Sequence, residues 1–174
     1  LEFRRVLFRS IPYEKGIAGH GICATIYGQR TDKTAAIRAD IDALPVTEQT
    51  GLPYASQNEG VMHACGHDMH TSILLGVAKI LKANQASLPG TVRLLFQPSE
   101  ETIGGARQMI EVGCLEGPHV ENVIALHVDP MTDLGKLKFT RGCMNAATTE
   151  MELTVRGKAC HGAHPDTGID ALPP

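Results

Sequence analysis

An α/β domain is the fold class this sequence predicts, and three observations carry that prediction. Short apolar runs of strand length alternate along the chain with stretches whose apolar residues recur at helical spacing. Gly and Pro punctuate the junctions between them. Aromatic residues make up 4% of the 174 residues and Trp is absent, so the core has to be aliphatic, as is usual in α/β domains. A chain of this length is one domain, or one and part of another. The net charge of −3 and the lack of a basic patch with interleaved aromatics give a nucleic-acid role no support. No apolar run approaches a membrane span, so no membrane role is expected. The five cysteines (Cys23, Cys65, Cys114, Cys143, Cys160) are odd in number and lack framework spacing. With no signal-peptide pattern in view, that predicts reduced thiols in a cytoplasmic protein.

Residues 1–10, LEFRRVLFRS, are basic and apolar and match nothing that follows, so they are set aside as an end foreign to the fold. From Ile11 a Gly-punctuated stretch leads to an alternating strand at 22–27, a turn at 28–33 and a second strand at 34–39. That strand runs into Asp40 and Asp42, and Pro45 stops it. Residues 46–60 read as a polar surface loop. The stretch 61–71, VMHACGHDMHT, precedes a helix running to about Asn84, whose apolar face is Ile73, Leu74, Val77, Ile80 and Leu81. Pro89 and Gly90 make a turn, and TVRLLF at 91–96 is a compact buried strand that leads to Glu100 and Glu101. Gly104 and Gly105 open a second helix through Ala106, Met109 and Ile110, closed by Gly113. An apolar strand at 123–128 delivers His127, and 135–140 reads as another short strand. From about 147 the character changes: residues 148–156 alternate as a half-exposed antiparallel strand would, followed by Gly157 and the cluster Cys160, His161, His164.

The chemistry gathers at strand ends and at one helix mouth. Residues 61–71 hold His63, Cys65, His67, Asp68 and His70 where a helix begins, a ligand set that suits zinc or manganese. The competing account is a polar loop capping a helix, with a buried Cys and solvated histidines. Parallel strands bring their C-terminal ends to one edge, so Asp40, Asp42, Glu100, Glu101 and His127 can meet there. For Glu100 and Glu101 alone a solvated surface pair is the ordinary account, and for His127 a structural histidine. Their conjunction is what points to a metal site. In such a site one carboxylate binds metal and its neighbour takes a proton from water.

Four segments in order make the pattern specific: RADIDALP at 38–45, MHACGHDMHTS at 62–72, GTVRLLFQPSEE at 90–101 followed by Gly104 and Gly105, and ALHV at 125–128. Together they resemble the metal-dependent amidohydrolases of the hippurate hydrolase, N-acyl-amino-acid hydrolase and indole-acetyl-amino-acid hydrolase family, a branch of the aminoacylase and carboxypeptidase superfamily. The resemblance implies a mixed-sheet α/β catalytic domain with helices on both faces, begun by residues 11–146, and a smaller α/β lid domain begun by 147–174. It implies two divalent metal ions (Zn, Mn, Co or Ni) per full-length site, with Cys65, His67, Glu101 and His127 among the ligands and Glu100 as general base. Asp40 falls where the superfamily keeps a ligand-orienting Asp, although Arg38 stands where relatives have a metal-binding His. GKACHGAHP at 157–165 resembles the lid signature, which makes His161 the residue that binds substrate or stabilises the oxyanion and leaves His164 as a surface residue. The implied substrate is a small N-acyl amino acid, and the implied partner a second copy through the lid. The family's last ligand lies well beyond Pro174, so the expectation is an N-terminal fragment, inactive alone. Two other readings stand beside this one: a non-catalytic metal-binding or dimerising fragment, and a cysteine-nucleophile hydrolase using Cys65 with His63 or His67.

Overall fold

The structure is a computed structural model that describes residues 11–102, 104–147, 149 and 151–172; the foreign end expected at 1–10 lies outside them. The chain forms two compact units, one ending at Met131 and the other beginning at Thr132.

The first unit is built on five strands: β1 (Tyr13–Ile17), β2 (Gly21–Ile26), β3 (Thr34–Asp40), β4 (Thr91–Gln97) and β5 (Asn122–Ala125). Two helices join them, α1 (His67–Ala83) between β3 and β4, and α2 (Gly105–Glu111) between β4 and β5. The strand order is β1-β2-β4-β3-β5, with β2 antiparallel to both β1 and β4 and with β3 parallel to both β4 and β5. This is the mixed sheet of an α/β fold, as expected.

Alternation along the central strands sends side chains to opposite faces and divides the core in two. Ala24, Ile26, Leu94 and Phe96 cluster with Leu74 and Ala78 of α1. Their neighbours Cys23 and Leu95 cluster with Met109 of α2, Cys114 and Val120. The helices therefore cover both faces. On the α2 side Arg93 is buried, and it donates to the carbonyls of Cys114 at 2.8 Å and Gly117 at 3.0 Å and to that of Glu116, tying down the loop after α2.

Several expectations are corrected. The strand β1 was not foreseen, because YEKGI has an exposed, charged centre with no apolar alternation; it is an edge strand. The strand expected at 123–128 ends at Ala125. On α1 the buried stripe is His67, His70, Leu74 and Ala78, whereas Ile73 and Ile80 face solvent. Helical spacing placed Leu74 inward correctly, but the buried face runs from Leu74 toward His67 and His70 and not through Ile73 and Ile80.

In the second unit the described residues are mostly turns and irregular chain, with one isolated bridge between Lys158 and Ile169 and a 3-10 turn at Pro165–Thr167. The strands expected at 135–140 and 148–156 do not form among the described residues, and Thr148 and Glu150 lie outside them. Leu137, Phe139, Met151, Leu153 and Val155 are exposed. Alternation makes such a segment strand-competent, but a strand needs a partner to complete its ladder.

Candidate metal centre

Because β3, β4 and β5 run the same way, their C-terminal ends share one edge of the sheet. Asp40 pairs with Gln97, and Arg38 lies between Leu95 and Ala125. Beyond that edge the chain carries Asp42, Glu100, Glu101 and His127, and the N-terminus of α1 enters beside them.

Local backbone makes the approach close. Gly66, the residue before α1, sits at φ 87°, and a Cβ there would lie 2.5 Å from Val128 Cγ2. Only glycine combines that left-handed conformation with that proximity. The fit draws the start of α1 against the chain after β5, and Cys65 Sγ comes 3.4 Å from His127 Nε2. The acid-bearing loop is equally tight. Ser99 has a positive φ of 55°, and a Cβ on Gly105 would stand 1.8 Å from the Pro98 carbonyl oxygen. The Glu101 amide donates to Asp42 Oδ2 at 3.0 Å, which holds the second acid toward the helix mouth.

Hydrogen bonds assign the imidazole tautomers. His67 Nδ1 lies 2.9 Å from the Asp42 carbonyl, and a carbonyl only accepts, so Nδ1 donates and in the neutral ring Nε2 is the nitrogen left to bind. The His67 ring is 1% exposed, and its Nε2 has no hydrogen-bond partner. Around it stand Glu101 Oε1 at 3.7 Å, Asp40 Oδ2 at 3.8 Å and Glu100 Oε2 at 3.9 Å. A buried acceptor left unpaired costs about 1–3 kcal/mol, and a cation at Nε2 would offset it. His127 repeats the pattern: its Nδ1 bonds the Val128 carbonyl at 2.7 Å, which turns Nε2 toward Cys65.

Among the described residues three groups of side chains lie close enough to share an ion: Cys65 with His67 and His127, His67 with Glu100 and Glu101, and Asp40 with His67 and His70. His67 belongs to all three. The structure thus brings together Asp40, Cys65, His67, Glu100, Glu101 and His127, while His63 and Asp68 stay exposed and outside these groups. The set of two imidazole nitrogens, a thiol and carboxylates fits a divalent transition metal. His161 belongs to the second unit, where it is exposed and accepts the Ala163 amide at 3.2 Å. Sequence reasoning named both His70 and Asp42 only among possible ligands. The helical spacing of His70, three residues after His67 and four before Leu74, was the signal that it faces inward.

Charge separates the members further. Burial pushes the Cys65 thiol up to about 11, with the Glu101 hydrogen bond and the charges of Glu101, Glu100 and Asp40 adding to it. Burial would also raise the Asp40 carboxyl, but the His70 hydrogen bond and the charges of Arg38, His67 and His70 together bring it below its ordinary value. The two glutamates differ in exposure, 42% for Glu100 against 25% for Glu101.

Comparison with known proteins identifies relatives of this chain. The family model for peptidase family M20/M25/M40 matches residues 36–171. An N-acetyl-L-cysteine deacetylase of Bacillus subtilis (strain 168) is 48% identical over 152 residues, which is 87% of this chain and 36% of that protein. An N-acyl-L-amino acid amidohydrolase of Geobacillus stearothermophilus is 43% identical over 152 residues, 87% of this chain and 40% of that protein. The crystal structure of a dinuclear metal binding peptidase from the M20 family of Bacillus subtilis superposes with a TM-score of 0.69 at 45% identity, covering 75% of this chain and 36% of that one. The chain spans 36% and 40% of the length of the two curated relatives. Motifs, fold and match extend along the same residues, and this chain belongs to peptidase family M20/M25/M40.

Proposed function

We propose that this chain carries the metal-holding part of an amidohydrolase that cleaves the amide of small N-acyl amino acids. The observation that carries the reading is the buried, unpartnered lone pair of His67 Nε2, faced by Glu100 and Glu101 with the Cys65–His127 pair alongside. Cys65, His67, Glu101 and His127 would supply this chain's ligands to a full-length site for two divalent ions, a number supported by the likeness to a dinuclear metal binding peptidase. Bound metal would supply positive charge to a substrate carbonyl oxygen and lower the pKa of water. Glu101, hydrogen-bonded to the Cys65 thiol and less exposed, suits a ligand. Glu100, more exposed, suits the base that takes a proton from water and returns it to the leaving amine. Asp40 orients its neighbours by hydrogen bonds. His161 takes the substrate's oxyanion on the strength of its lid pattern, and the segment from about 147 begins a lid through which two copies pair. Free thiols suit a cytoplasmic protein, and no described helix is long and apolar enough to cross a membrane.

The names of the relatives support the substrate class: one is an N-acetyl-L-cysteine deacetylase and one an N-acyl-L-amino acid amidohydrolase. Metal analysis of the purified chain, beside Cys65→Ala and Glu101→Ala, tests the site. Stoichiometric metal lost in both variants is expected, and a metal-free native chain overturns the ligand assignment. Amine release from N-acetyl and N-benzoyl amino acids, measured beside a full-length version, tests the chemistry. EDTA should abolish it, and Glu100→Gln should abolish it while keeping the metal. Turnover that survives EDTA and stops with iodoacetamide would transfer the reaction to the thiol. Metal without turnover would favour a non-catalytic fragment.

A further inference from the structure

His70 belongs to the third of the three groups, yet its bonds leave it nothing to give a metal. The ring is buried, at 2% exposure. Its Nε2 accepts the Val128 N–H at 2.9 Å, and a backbone N–H can only donate, so Nε2 is unprotonated. The proton is therefore on Nδ1, which donates to Asp40 Oδ1 at 2.5 Å. Both ring nitrogens are spoken for, and the group of Asp40, His67 and His70 is not a third ion site.

The same bonds form a continuous tie. Asp40 Oδ2 accepts Arg38 Nη1 at 2.7 Å, and Arg38 Nε donates to Gln97 Oε1 at 2.8 Å. From β4 through β3 to α1 and on to Val128, every link is a hydrogen bond between buried or half-buried groups. Its far end is where support is thinnest. The last ladder pair of β5 is Ala125 with Arg38, so His127 and Val128 lie beyond the sheet's own bonds. His127 is exposed, and its Nδ1 leans on the carbonyl of Val128, the residue whose N–H His70 holds. The His70 and His127 rings stand edge to face with centroids 4.5 Å apart.

We propose that His70 is a positioning residue: in its neutral Nδ1–H form it ties the Val128 amide to the Asp40 carboxylate, and so sets where the His127 imidazole meets Cys65. The use of the tie rests on the metal-site reading above, but the tie itself belongs to the metal-free protein. A merely structural histidine would weaken every ligand alike, whereas one that acts through Val128 affects only the contribution of His127. That difference is measurable by a double-mutant cycle.

Zinc affinity, read by competition with a chelator, is to be measured for the native chain, His70→Ala, His70→Gln, His127→Ala and the double variants. His70→Ala should lose about 10–100-fold in affinity, the range seen when a group supporting a ligand is removed. In the His127→Ala background the same change should cost less than about twofold. His70→Gln, whose amide oxygen can still accept from Val128, should recover part of the loss. In the metal-free protein the Val128 amide should exchange about tenfold faster in His70→Ala. Equal losses in both backgrounds, or unchanged Val128 exchange, overturn the proposal. If the native chain binds no zinc, the site reading fails by itself and the exchange experiment alone decides the tie. Should His70→Ala fail to fold, Val128→Pro removes the same N–H while leaving His70 in place.

Discussion

Two pairs of histidines in this molecule share a spacing and little else. His67 and His70 are three residues apart with ring centroids at 5.5 Å, and His161 and His164 are three apart with centroids at 5.9 Å. In the first pair both rings are buried, and carbonyl, amide and carboxylate partners drawn from distant segments fix how each ring is oriented. In the second, both residues are exposed, and the bonds at hand are local turns such as the His164 amide to the His161 carbonyl. A histidine becomes a metal-type ligand through what holds its ring nitrogens: the Asp42 carbonyl leaves His67 one nitrogen to bind, whereas Val128 and Asp40 leave His70 none. Spacing alone does not make the distinction.

The contrast is most vulnerable at the backbone that buries the first pair. Gly105→Ala would drive a methyl group into the Pro98 carbonyl and displace the loop that carries Glu100 and Glu101. A loss of about 3 kcal/mol is expected, the upper end for overpacking, and denaturant midpoints would report it. Next comes the direct contrast of the pairs. His67→Ala should lower zinc affinity by more than about 100-fold, beyond the effect of losing a mere supporting group. His161→Ala should leave affinity unchanged within error, and calorimetric titration of both variants checks the pair together.

Burial can also be read through pH at a residue far from the metal site. Burial pushes the Cys23 thiol up from 9.0 to about 12, against the opposing charge of Arg93. The unfolded chain therefore releases this proton at lower pH than the folded one. The stability this thiol contributes is fully present below about pH 9 and is lost as pH rises toward 12. The slope is at most about 1.4 kcal/mol per pH unit, and Cys23→Ala should flatten it in unfolding curves taken at pH 8 to 11. The smallest effect belongs to the exposed pair: His164→Ala should shift stability by less than about 0.5 kcal/mol, as surface changes do, within the error of a thermal melt.

How much of this was legible in the sequence follows the physics of each element. The strands β2, β3 and β4 are central, and their apolar runs announced them; the edge strand β1, charged and exposed, announced nothing. Metal-type chemistry was legible because Cys65, His67, Glu100, Glu101 and His127 are residues that strand ends and helix mouths rarely gather by chance. The tautomers were not, since they depend on the Asp42 and Val128 carbonyls, and any residue supplies a carbonyl. His70 was legible only as a possible ligand, because its tie to Asp40 and Val128 depends on a backbone amide brought in from a distant segment. Alternation at 148–156 described what the segment could do in a sheet, and no neighbouring strand among the described residues takes up its hydrogen bonds.

The parallel pairing of β3 with β5 has a consequence in time. Cys65 and His127 meet only after the chain between them has closed, and β5 is an edge strand whose residues are all exposed, held by its register with β3 alone. Long-range parallel pairing is intrinsically slow to form, because the loop is closed before its contacts repay the closure. Docking of β5 would then gate the pairing of Cys65 with His127, so capture of an ion by that pair would report the completion of the sheet. A thiolate-to-cobalt absorption band rising later than helix signal in a refolding experiment would be its visible mark.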